Sequence, residues 1–303
     1  MSNALFDVHA IDLCHRNIAG SIGSWAVEGP DGWVVIESGP ASTWEALEEG
    51  LSQLGVRASN VSALLLTHIH LDHAGGAWRF AELGVPIHVH RVGAPHMIDP
   101  TRLERSARRV YGDRYDTLWG AMKPCSDNLV HATTDGDVVE AGGLQFQAIE
   151  TLGHANHHHA WHILGSGDLF TGDAVGMRVP DTDWITVPMP PPEFDPLVWN
   201  TTIDRIETGP WTTFHLTHGG TVTDTKAHLT QLRRSLSSQF DWIAQSQDNA
   251  DRWGAYSSLL RTSANQYDVS DALFRDHASP ARLDMNLGGV DRYVAKKQAQ
   301  TSI

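Results

Sequence analysis

Cysteine is nearly absent from this chain of 303 residues, which contains only Cys14 and Cys125. Two cysteines without C-x-x-C spacing exclude a disulfide scaffold and a thiolate metal cluster. Such sparse cysteine usage is typical of a reducing compartment, so we expect a cytoplasmic protein. Histidine is common instead, with 18 residues. Any metal site is therefore expected to use imidazole and carboxylate ligands.

Long apolar runs and an excess of basic charge are also missing. No stretch approaches the roughly 18 consecutive apolar residues of a membrane-spanning helix. The N-terminal segment MSNALFDVHAIDL lacks the basic region and apolar run of a secretory signal. With 22 Lys and Arg against 36 Asp and Glu, the net charge is −14. This charge disfavours nucleic acid and anionic lipid, so we expect neither as a partner.

The order of apolar runs and turn residues predicts an α/β fold, because strand-like runs alternate with helical spacing. The predicted elements of the first half are a hairpin, a helix capped by Ser42, a buried strand, a second helix and a further strand, at 24–36, 42–54, 61–66, 72–84 and 85–90. A second set of strands follows between residues 128 and 216.

The same pattern predicts a core of residues 1–223 and a helical extension of residues 224–303. A polar, arginine-rich segment at about 99–123 is typical of an insertion into the core. The proline-rich run 187–192 is predicted to be a loop, because proline removes a backbone donor and fits neither helix interiors nor inner strands.

Metal-binding residue types cluster after the strand that ends near residue 66. His68 and His70 can reach one point in space because residues i and i+2 of an extended segment project the same way. Asp72 and His73 can reach a second point nearby. Since one metal ion needs three or four ligands, the remaining ligands are expected from later strand ends, which carry His154, Asp173 and His218.

These residues resemble the ligand motifs of the metallo-β-lactamase superfamily, and within it the hydroxyacylglutathione hydrolase and lactonase branches. The motifs are His68-x-His70-x-Asp72-His73, Gly-His at His154, Gly-Asp at Asp173 and His-Gly at His218. The resemblance spans roughly residues 5–220. It implies a four-layer αββα sandwich with a binuclear metal centre along one edge.

The resemblance also implies a role for each ligand. One metal ion would be held by His68, His70 and His154, the other by Asp72, His73 and His218, and Asp173 would bridge them. Two cations that share a hydroxide lower the pKa of bound water from about 15.7 to near 7, which creates a nucleophile at neutral pH. Asp72 is also the carboxylate best placed to transfer the proton during catalysis. Zinc is the expected metal, and iron and manganese suit the same ligands.

Residues around the ligands are expected to complete the site. Met177, Trp184 and Phe194, in the loop region after Asp173, are predicted to line a substrate pocket. His158 is predicted to support the ligands from behind. Whether the neighbouring His157 and His159 take part in the site is left open.

Other polar residues are expected to be structural. His88, His90 and His215 alternate on strands, and Arg102–Arg114 is predicted to be a solvated helix face. In Glu37-Ser38-Gly39, Glu37 stands where the family has aspartate; this is not a ligand position, so we expect only local repacking.

The expected function is a binuclear metal-dependent hydrolase of a small ester, thioester or lactone. The alternatives are an iron-dependent oxidoreductase of the persulfide dioxygenase type and a phosphodiesterase on the same fold. The expected partner is a small-molecule substrate, and a homodimer is left open.

Overall fold

Two β-sheets packed face to face form the centre of the protein. The computed structural model describes residues 6–278 and 280–301. The strands of the first sheet, in their order across it, are β1 (Asp7–Asp12), β2 (Gly23–Gly29), β3 (Gly32–Ile36), β4 (Val61–Leu65), β5 (Ile87–His90) and β6 (Val130–Thr133). β1, β2 and β3 are antiparallel neighbours, whereas β3 to β6 are parallel. The hairpin predicted from the sequence is formed by β2 and β3.

The second sheet brings several strand ends to one edge. The later strands are β7 (Val138–Ala141), β8 (Leu144–Glu150), β9 (His159–Ile163), β10 (Asp168–Gly172), β11 (Met177–Arg178), β12 (Ile185–Thr186), β13 (Thr213–Leu216) and β14 (Gly220–Val222). β11 and β12 form a separate pair, and the others lie in the order β14-β13-β10-β9-β8-β7. β8 and β10 are both antiparallel to β9, and β13 is parallel to β10. The carboxyl ends of β8, β10 and β13 therefore meet at the same edge.

Alternating residues of the strands fill the space between the two sheets. β8 buries Leu144, Phe146 and Ala148 and turns the residues between them outward. Phe146 lies in one hydrophobic cluster with Trp25 of β2 and Trp161 of β9. Burial of a side chain such as Phe146 contributes about 1.5–3 kcal/mol to the free energy of folding. This apolar layer therefore keeps the two sheets packed together.

Helices cover the outer face of the first sheet. They are α1 (Trp44–Gln53), α2 (Leu71–Ala74), α3 (Ala77–Glu82), α4 (Ala94–Ile98), α5 (Thr101–Tyr111) and α6 (Tyr115–Trp119). Helix α1 packs Leu47 and Leu51 into the same cluster as Leu64 of β4. Ser42 does not cap α1 as predicted, because its hydroxyl donates to the carbonyl of Leu118 at 2.7 Å.

The helix predicted over 72–84 is divided into α2 and α3. The break falls at Gly75 and Gly76, where the chain passes close to the segment after β3. A Cβ atom on Gly75 would lie 3.1 Å from the Cα atom of Pro40, and one on Gly76 would lie 3.1 Å from the carbonyl oxygen of Ser38. The amide of Gly76 donates to the carbonyl of Gly39 at 2.8 Å. This tertiary contact interrupts the helical hydrogen bonds.

A second helical layer covers the other sheet. Its helices are α7 (Pro196–Glu207), α8 (Thr225–Gln245), α9 (Arg252–Asn265), α10 (Asp271–His277) and α11 (Pro280–Thr301). Leu232 of α8, Tyr256 of α9 and Val290 of α11 share a hydrophobic cluster with Phe214 of β13. The four-layer αββα fold with C-terminal helices is thus confirmed. Within the described residues, no helix combines the length and apolar character needed to cross a membrane.

The domain boundary predicted at residue 223 falls in the turn between β14 and α8. Because residues on both sides of it share one hydrophobic cluster, the extension packs directly on the core. The division into two domains stays a prediction.

Candidate metal centre

The side chains predicted to bind metal converge where four strands end. His68, His70, Asp72 and His73 follow β4, whereas His154 follows β8, Asp173 follows β10 and His218 follows β13. Three of these strands run in the same direction within one sheet, and β4 belongs to the facing sheet. The chain folds this way because each apolar strand is buried and each polar motif follows in a loop.

The first group consists of His68, His70 and His154. The Nε2 atom of His68 lies 2.9 Å from the Nδ1 atom of His70. That Nδ1 atom lies 3.0 Å from the Nε2 atom of His154. The three ring nitrogens therefore face one point. The Oδ2 atom of Asp173 lies 3.4 Å from the same nitrogen of His154.

The second group consists of Asp72, His73 and His218. The Oδ2 atom of Asp72 lies 3.4 Å from Nε2 of His218, and its Oδ1 atom lies 3.9 Å from Nε2 of His73. The Oδ1 atom of Asp173 lies 3.5 Å from each of these two nitrogens. Asp173 thus presents one carboxylate oxygen to each group, and the structure brings all the predicted ligands together.

Hydrogen bonds behind the rings fix which nitrogen faces the centre. The Nδ1 atom of His73 donates to the carboxylate of Glu37 at 3.0 Å, and that of His218 donates to the carbonyl of Ser21 at 2.6 Å. The Nδ1 atom of His154 donates to the carbonyl of Pro188 at 3.0 Å. In a neutral imidazole the opposite Nε2 atom then has no proton and presents its lone pair.

The first group contains more lone pairs than its protons can satisfy. The Thr67 hydroxyl donates to Glu37 at 2.5 Å, so its oxygen accepts from Nδ1 of His68 at 3.0 Å. The Nε2 atoms of His68 and His154 are then both unprotonated. His70 Nδ1 lies between them and can donate to only one. At least one of these two Nε2 lone pairs therefore has no proton to accept. A bound cation would stabilise that lone pair.

The second group has unsatisfied atoms as well. The Nε2 atoms of His73 and His218 and the Oδ1 atom of Asp173 are buried, with no hydrogen-bond partner among the described residues. Leaving one such atom unpaired costs about 1–3 kcal/mol. The three atoms surround one point, and a nitrogen and oxygen donor set suits zinc, iron or manganese. The residues present therefore fit two divalent metal ions.

The electrostatics of the second group also favour a cation. Burial lowers the pKa of His73, but the carboxylates of Glu37, Asp173 and Asp72 outweigh burial and raise it to about 10. Burial raises the pKa of the Asp72 carboxyl, but His73 and His218 hold it well below its usual range. The carboxylates thus stabilise positive charge at this point, whether as a proton or as a metal ion.

The histidines of the first group are held neutral. Burial lowers the pKa of His68 and His70 well below the ordinary value, and the neighbouring imidazoles lower it further. Burial also lowers the pKa of His154. Neutral imidazole is the form that coordinates a metal ion.

The two carboxylates of the centre differ in their access to solvent. The Asp72 side chain is 26 % exposed, whereas the Asp173 side chain is 4 % exposed. Asp72 also lines the adjoining cavity. It is therefore the carboxylate of this centre that is better placed to exchange a proton with a bound molecule.

Glu37 has a larger role than the expected local repacking. It is fully buried, and its carboxylate accepts hydrogen bonds from His73 and from the hydroxyls of Thr67 and Thr217. Its backbone adopts the left-handed region, with φ 67°. Glu37 thereby fixes the ring of His73 and, through Thr67, the proton position of His68. The signal for this role was the acidic residue directly after β3, where a buried carboxylate requires partners.

His158 lies beside Asp173, behind the candidate ligands, and its supporting role stays a prediction. Its Nδ1 atom donates to the Thr151 hydroxyl at 2.7 Å, and its Nε2 atom accepts from the backbone amide of Asp173 at 3.2 Å. Because His158 is fully buried, this bond fixes the turn that carries the carboxylate of Asp173. His157 instead lies 3.3 Å from Glu193 on the cavity wall, and His159 lies 2.9 Å from the carbonyl of Leu66.

The remaining histidines of interest lie outside the centre. His88 stacks on His131 with ring centroids 5.0 Å apart, His90 lies 3.2 Å from Glu150, and His215 lies 2.8 Å from Asp168. These contacts agree with the structural roles expected for His88, His90 and His215.

A cavity of about 580 Å³ adjoins the centre. Its walls include the candidate ligands His70, Asp72, His154 and Asp173. Much of the rest is apolar, from Ile22, Ile69, Leu103, Met189, Leu260 and Met285. The cavity is large enough for a small molecule and is built by the core, the insertion and the C-terminal helices together.

Of the three predicted pocket residues, the cavity wall includes Met177. Trp184 lies in the hydrophobic cluster beneath the C-terminal helices, where its indole donates to Ser263 at 3.2 Å. Phe194 packs in the same cluster against Trp199. Both side chains are buried away from the cavity, because the loop that carries them is covered by α8 to α11.

The arginine-rich helix α5 also differs from the expected solvated face. One of its sides carries Arg102, Leu103, Ser106 and Val110 along the cavity, while Arg108 on another side pairs with Glu104 and Asp116. The insertion is therefore partly solvated and partly a wall of the site.

Known proteins resemble this chain in sequence over much of its length. The family profile described as the metallo-beta-lactamase superfamily matches residues 19–202. A metallo-beta-lactamase fold-containing protein, ST1585, of Sulfurisphaera tokodaii is 28 % identical over 203 residues, which are 65 % of this chain and 73 % of that protein. A hydroxyacylglutathione hydrolase of Idiomarina loihiensis is 28 % identical over 168 residues, 55 % of this chain and 50 % of the relative. This chain thus spans about half the length of that hydrolase.

A solved structure agrees over nearly the whole molecule. The metallo-beta-lactamase family protein TTHA1429 from Thermus thermophilus superposes with a TM-score of 0.71 at 18 % identity, and covers 97 % of this chain and 94 % of its own. At this identity the likeness supports the fold alone. The family match covers more than half of the chain, so the protein belongs to the metallo-beta-lactamase superfamily.

Proposed function

We propose that the protein is a binuclear metal-dependent hydrolase of a small ester, thioester or lactone. One observation carries this proposal. Two groups of nitrogen and oxygen atoms with lone pairs lie on either side of Asp173, at the wall of a largely apolar cavity. His68, His70 and His154 would hold one ion, Asp72, His73 and His218 the other, and Asp173 would bridge them. The hydroxyacylglutathione hydrolase among its relatives supports a hydrolytic reaction.

The metal ions would supply a Lewis acid for a carbonyl oxygen and would lower the pKa of a water molecule to near 7. Zinc is the proposed metal, and iron or manganese would suit the same ligands.

The protein's own groups would position and protect this chemistry. Glu37, Ser21 and Pro188 hold three imidazoles in one orientation, which limits the reorganisation needed during the reaction. Asp72, which faces the cavity, would hold the proton that leaves the attacking water and pass it to the leaving group. The apolar walls would exclude bulk water and strengthen these electrostatic interactions.

The test begins with elemental analysis of purified protein, followed by a panel of lactones, thioesters and aryl esters assayed with the metal that is found. We expect two equivalents of metal and turnover of at least one substrate class, both lost after chelation. Iron with oxygen consumption would favour the oxidoreductase alternative, and activity on phosphodiesters alone would favour the phosphodiesterase. Metal-loaded protein that turns over none of these substrates would contradict the proposal.

A matched pair of histidine variants connects the activity to the proposed ligands. His70→Ala is expected to lose metal and activity together, because His70 lies between two other ring nitrogens. His88→Ala is expected to retain both, because His88 stacks on His131 outside the centre. Loss of metal from the His88 variant alone would show that the ligands are assigned wrongly.

A further inference from the structure

Two arginines from separate segments lie on the wall of the cavity that adjoins the metal centre. Arg282 comes from α11 and Arg16 from the loop between β1 and β2. The Nη1 atom of Arg282 donates to the carbonyl of His277 at 2.7 Å, which anchors one edge of the guanidinium. Its Nε and Nη2 groups have no protein partner among the described residues, so their donors are available to a molecule in the cavity.

Neither guanidinium is neutralised by a carboxylate. Among residues 6–278 and 280–301, no ion pair joins Arg16 or Arg282 to an acidic side chain. Arg252 provides a contrast, because it is paired with Asp291 through contacts of 2.6 and 2.7 Å. Asp276 lines the same cavity and, among the described residues, forms no ion pair with either arginine. Two like charges on one wall repel each other, and an anion between them would relieve that repulsion.

The surroundings of Arg282 make this unpaired charge costly. Burial lowers the pKa of Arg282 and outweighs the carboxylates of Asp72 and Asp173, neither of which forms an ion pair with it. Those carboxylates are the proposed metal ligands, so their charge would be shared with the cations. A guanidinium without its own counterion then offers a fork of donors that matches a carboxylate.

We propose that the substrate of this hydrolase carries a carboxylate group, which Arg282 binds with Arg16 beside it. This inference rests on the proposed hydrolytic function and specifies its substrate class. The same cavity is also lined by apolar side chains such as Leu71, Met189 and Met285. The preferred substrate is thus a short apolar chain with an acyl bond at the metals and a carboxylate at Arg282.

The test compares thioesters that differ in charge but not in shape. On the acyl side, succinyl N-acetylcysteamine is compared with its 4-methylpentanoyl counterpart. On the thiol side, the acetyl thioester of 3-mercaptopropionate is compared with that of 3-methylbutane-1-thiol. We expect kcat/KM to favour the anionic member of one pair by about tenfold to a hundredfold, as a charge-assisted hydrogen bond would give. The pair concerned shows on which side of the scissile bond the carboxylate lies.

Three variants separate binding by Arg282 from a general effect of charge. Arg282→Gln is expected to remove the preference through a higher KM for the anionic substrate, with the neutral substrate changed less than about threefold. Arg282→Lys keeps the charge without the fork and should retain part of the preference. Arg275→Gln changes the same charge at an exposed site on α10 outside the cavity and should have no effect. A preference that survives in Arg282→Gln, or that is absent from the wild type, would overturn the inference.

A binding measurement keeps the inference testable if no thioester is hydrolysed. Glutarate and pentanoate are titrated calorimetrically into metal-loaded protein, since both place one carboxylate at the metals and only glutarate has a second. Tighter binding of glutarate by the wild type but not by Arg282→Gln would support the anion site even if the proposed reaction is wrong. Equal binding of both acids would overturn it.

Discussion

Replacing Glu37 by glutamine tests whether the buried carboxylate behind the candidate ligands controls metal binding. Glutamine has nearly the same shape but replaces one carboxylate oxygen with an amide donor. In the wild type, one oxygen of Glu37 accepts from Thr67 and His73 at 2.5 and 3.0 Å, and the other faces the amide of Thr67 at 3.4 Å. An amide group turned toward that backbone N–H would place two donors face to face.

The size of the effect follows from these contacts. Loss of the negative charge weakens a charge-assisted bond to His73, and such bonds contribute about 1.5–3 kcal/mol. Removing a carboxylate behind a metal ligand typically lowers metal affinity by about 10–100-fold. We therefore expect Glu37→Gln to lower the affinity for the ion held by Asp72, His73 and His218 by about that factor. The ion held by His68, His70 and His154 should be affected less.

Competition with a chromophoric chelator measures both affinities in one titration. The control is Glu150→Gln, which removes a carboxylate from His90 at 3.2 Å outside the centre and should leave both metals at wild-type affinity. If Glu37→Gln binds two metals as tightly as the wild type, the argument that Glu37 fixes the tautomer of His73 is refuted.

The remaining predictions concern pH, Asp173 and the buried aromatic residues. The pKa of His73 in the metal-free protein is raised from 6.5 to about 10, so metal binding should release a proton. Metal affinity should therefore rise with pH toward 10. Calorimetry in buffers of different ionisation enthalpy measures the released proton. By the same shift, the contribution of His73 to metal-free stability is complete below pH 6.5 and lost as pH rises through 10, which thermal unfolding across that range checks. His158→Ala should weaken metal binding about tenfold or more, because the amide of Asp173 loses its acceptor, and unchanged affinity in a chelator titration would contradict this. Trp184→Ala should lower the free energy of unfolding by about 3–5 kcal/mol, as measured by denaturant titration, with little change in KM at permissive temperature. Met177→Ala should instead change KM, as measured by steady-state kinetics, because Met177 lines the cavity.

The sequence was sufficient to predict most of the strands and the convergence of the candidate ligands. Strands such as β4 are short apolar runs bounded by turns, and polar motifs at the ends of parallel strands meet at one edge for geometric reasons. The convergence of His68, His154 and Asp173 therefore follows from the sequence pattern alone. The spacing of the motifs, rather than any single histidine, carried that prediction.

The features that could not be predicted depend on contacts between distant segments. The break at Gly75 arises from packing against the chain near Pro40, and the burial of Trp184 arises from helices that follow it by some 40 residues or more. Arg282 joins the cavity only because α11 folds back toward the metal centre. Such pairings are set by tertiary packing, which local pattern and propensity do not encode.

Glu37 lies between these two cases. The residue was recognised in the sequence as a departure from the family motif, but its partners lie on β4 and β13 loops that are 30 and 180 positions away. A buried carboxylate must be paired, so its burial pattern indicates that partners exist without identifying them.

The most direct test of the central claim is an anomalous-scattering map of crystals grown from metal-loaded protein. The account predicts two peaks, one within coordination distance of His68, His70 and His154 and the other of Asp72, His73 and His218, with the carboxylate of Asp173 between them. A map with no peak at this edge of the sheets, or with its metal bound elsewhere, would contradict the binuclear centre.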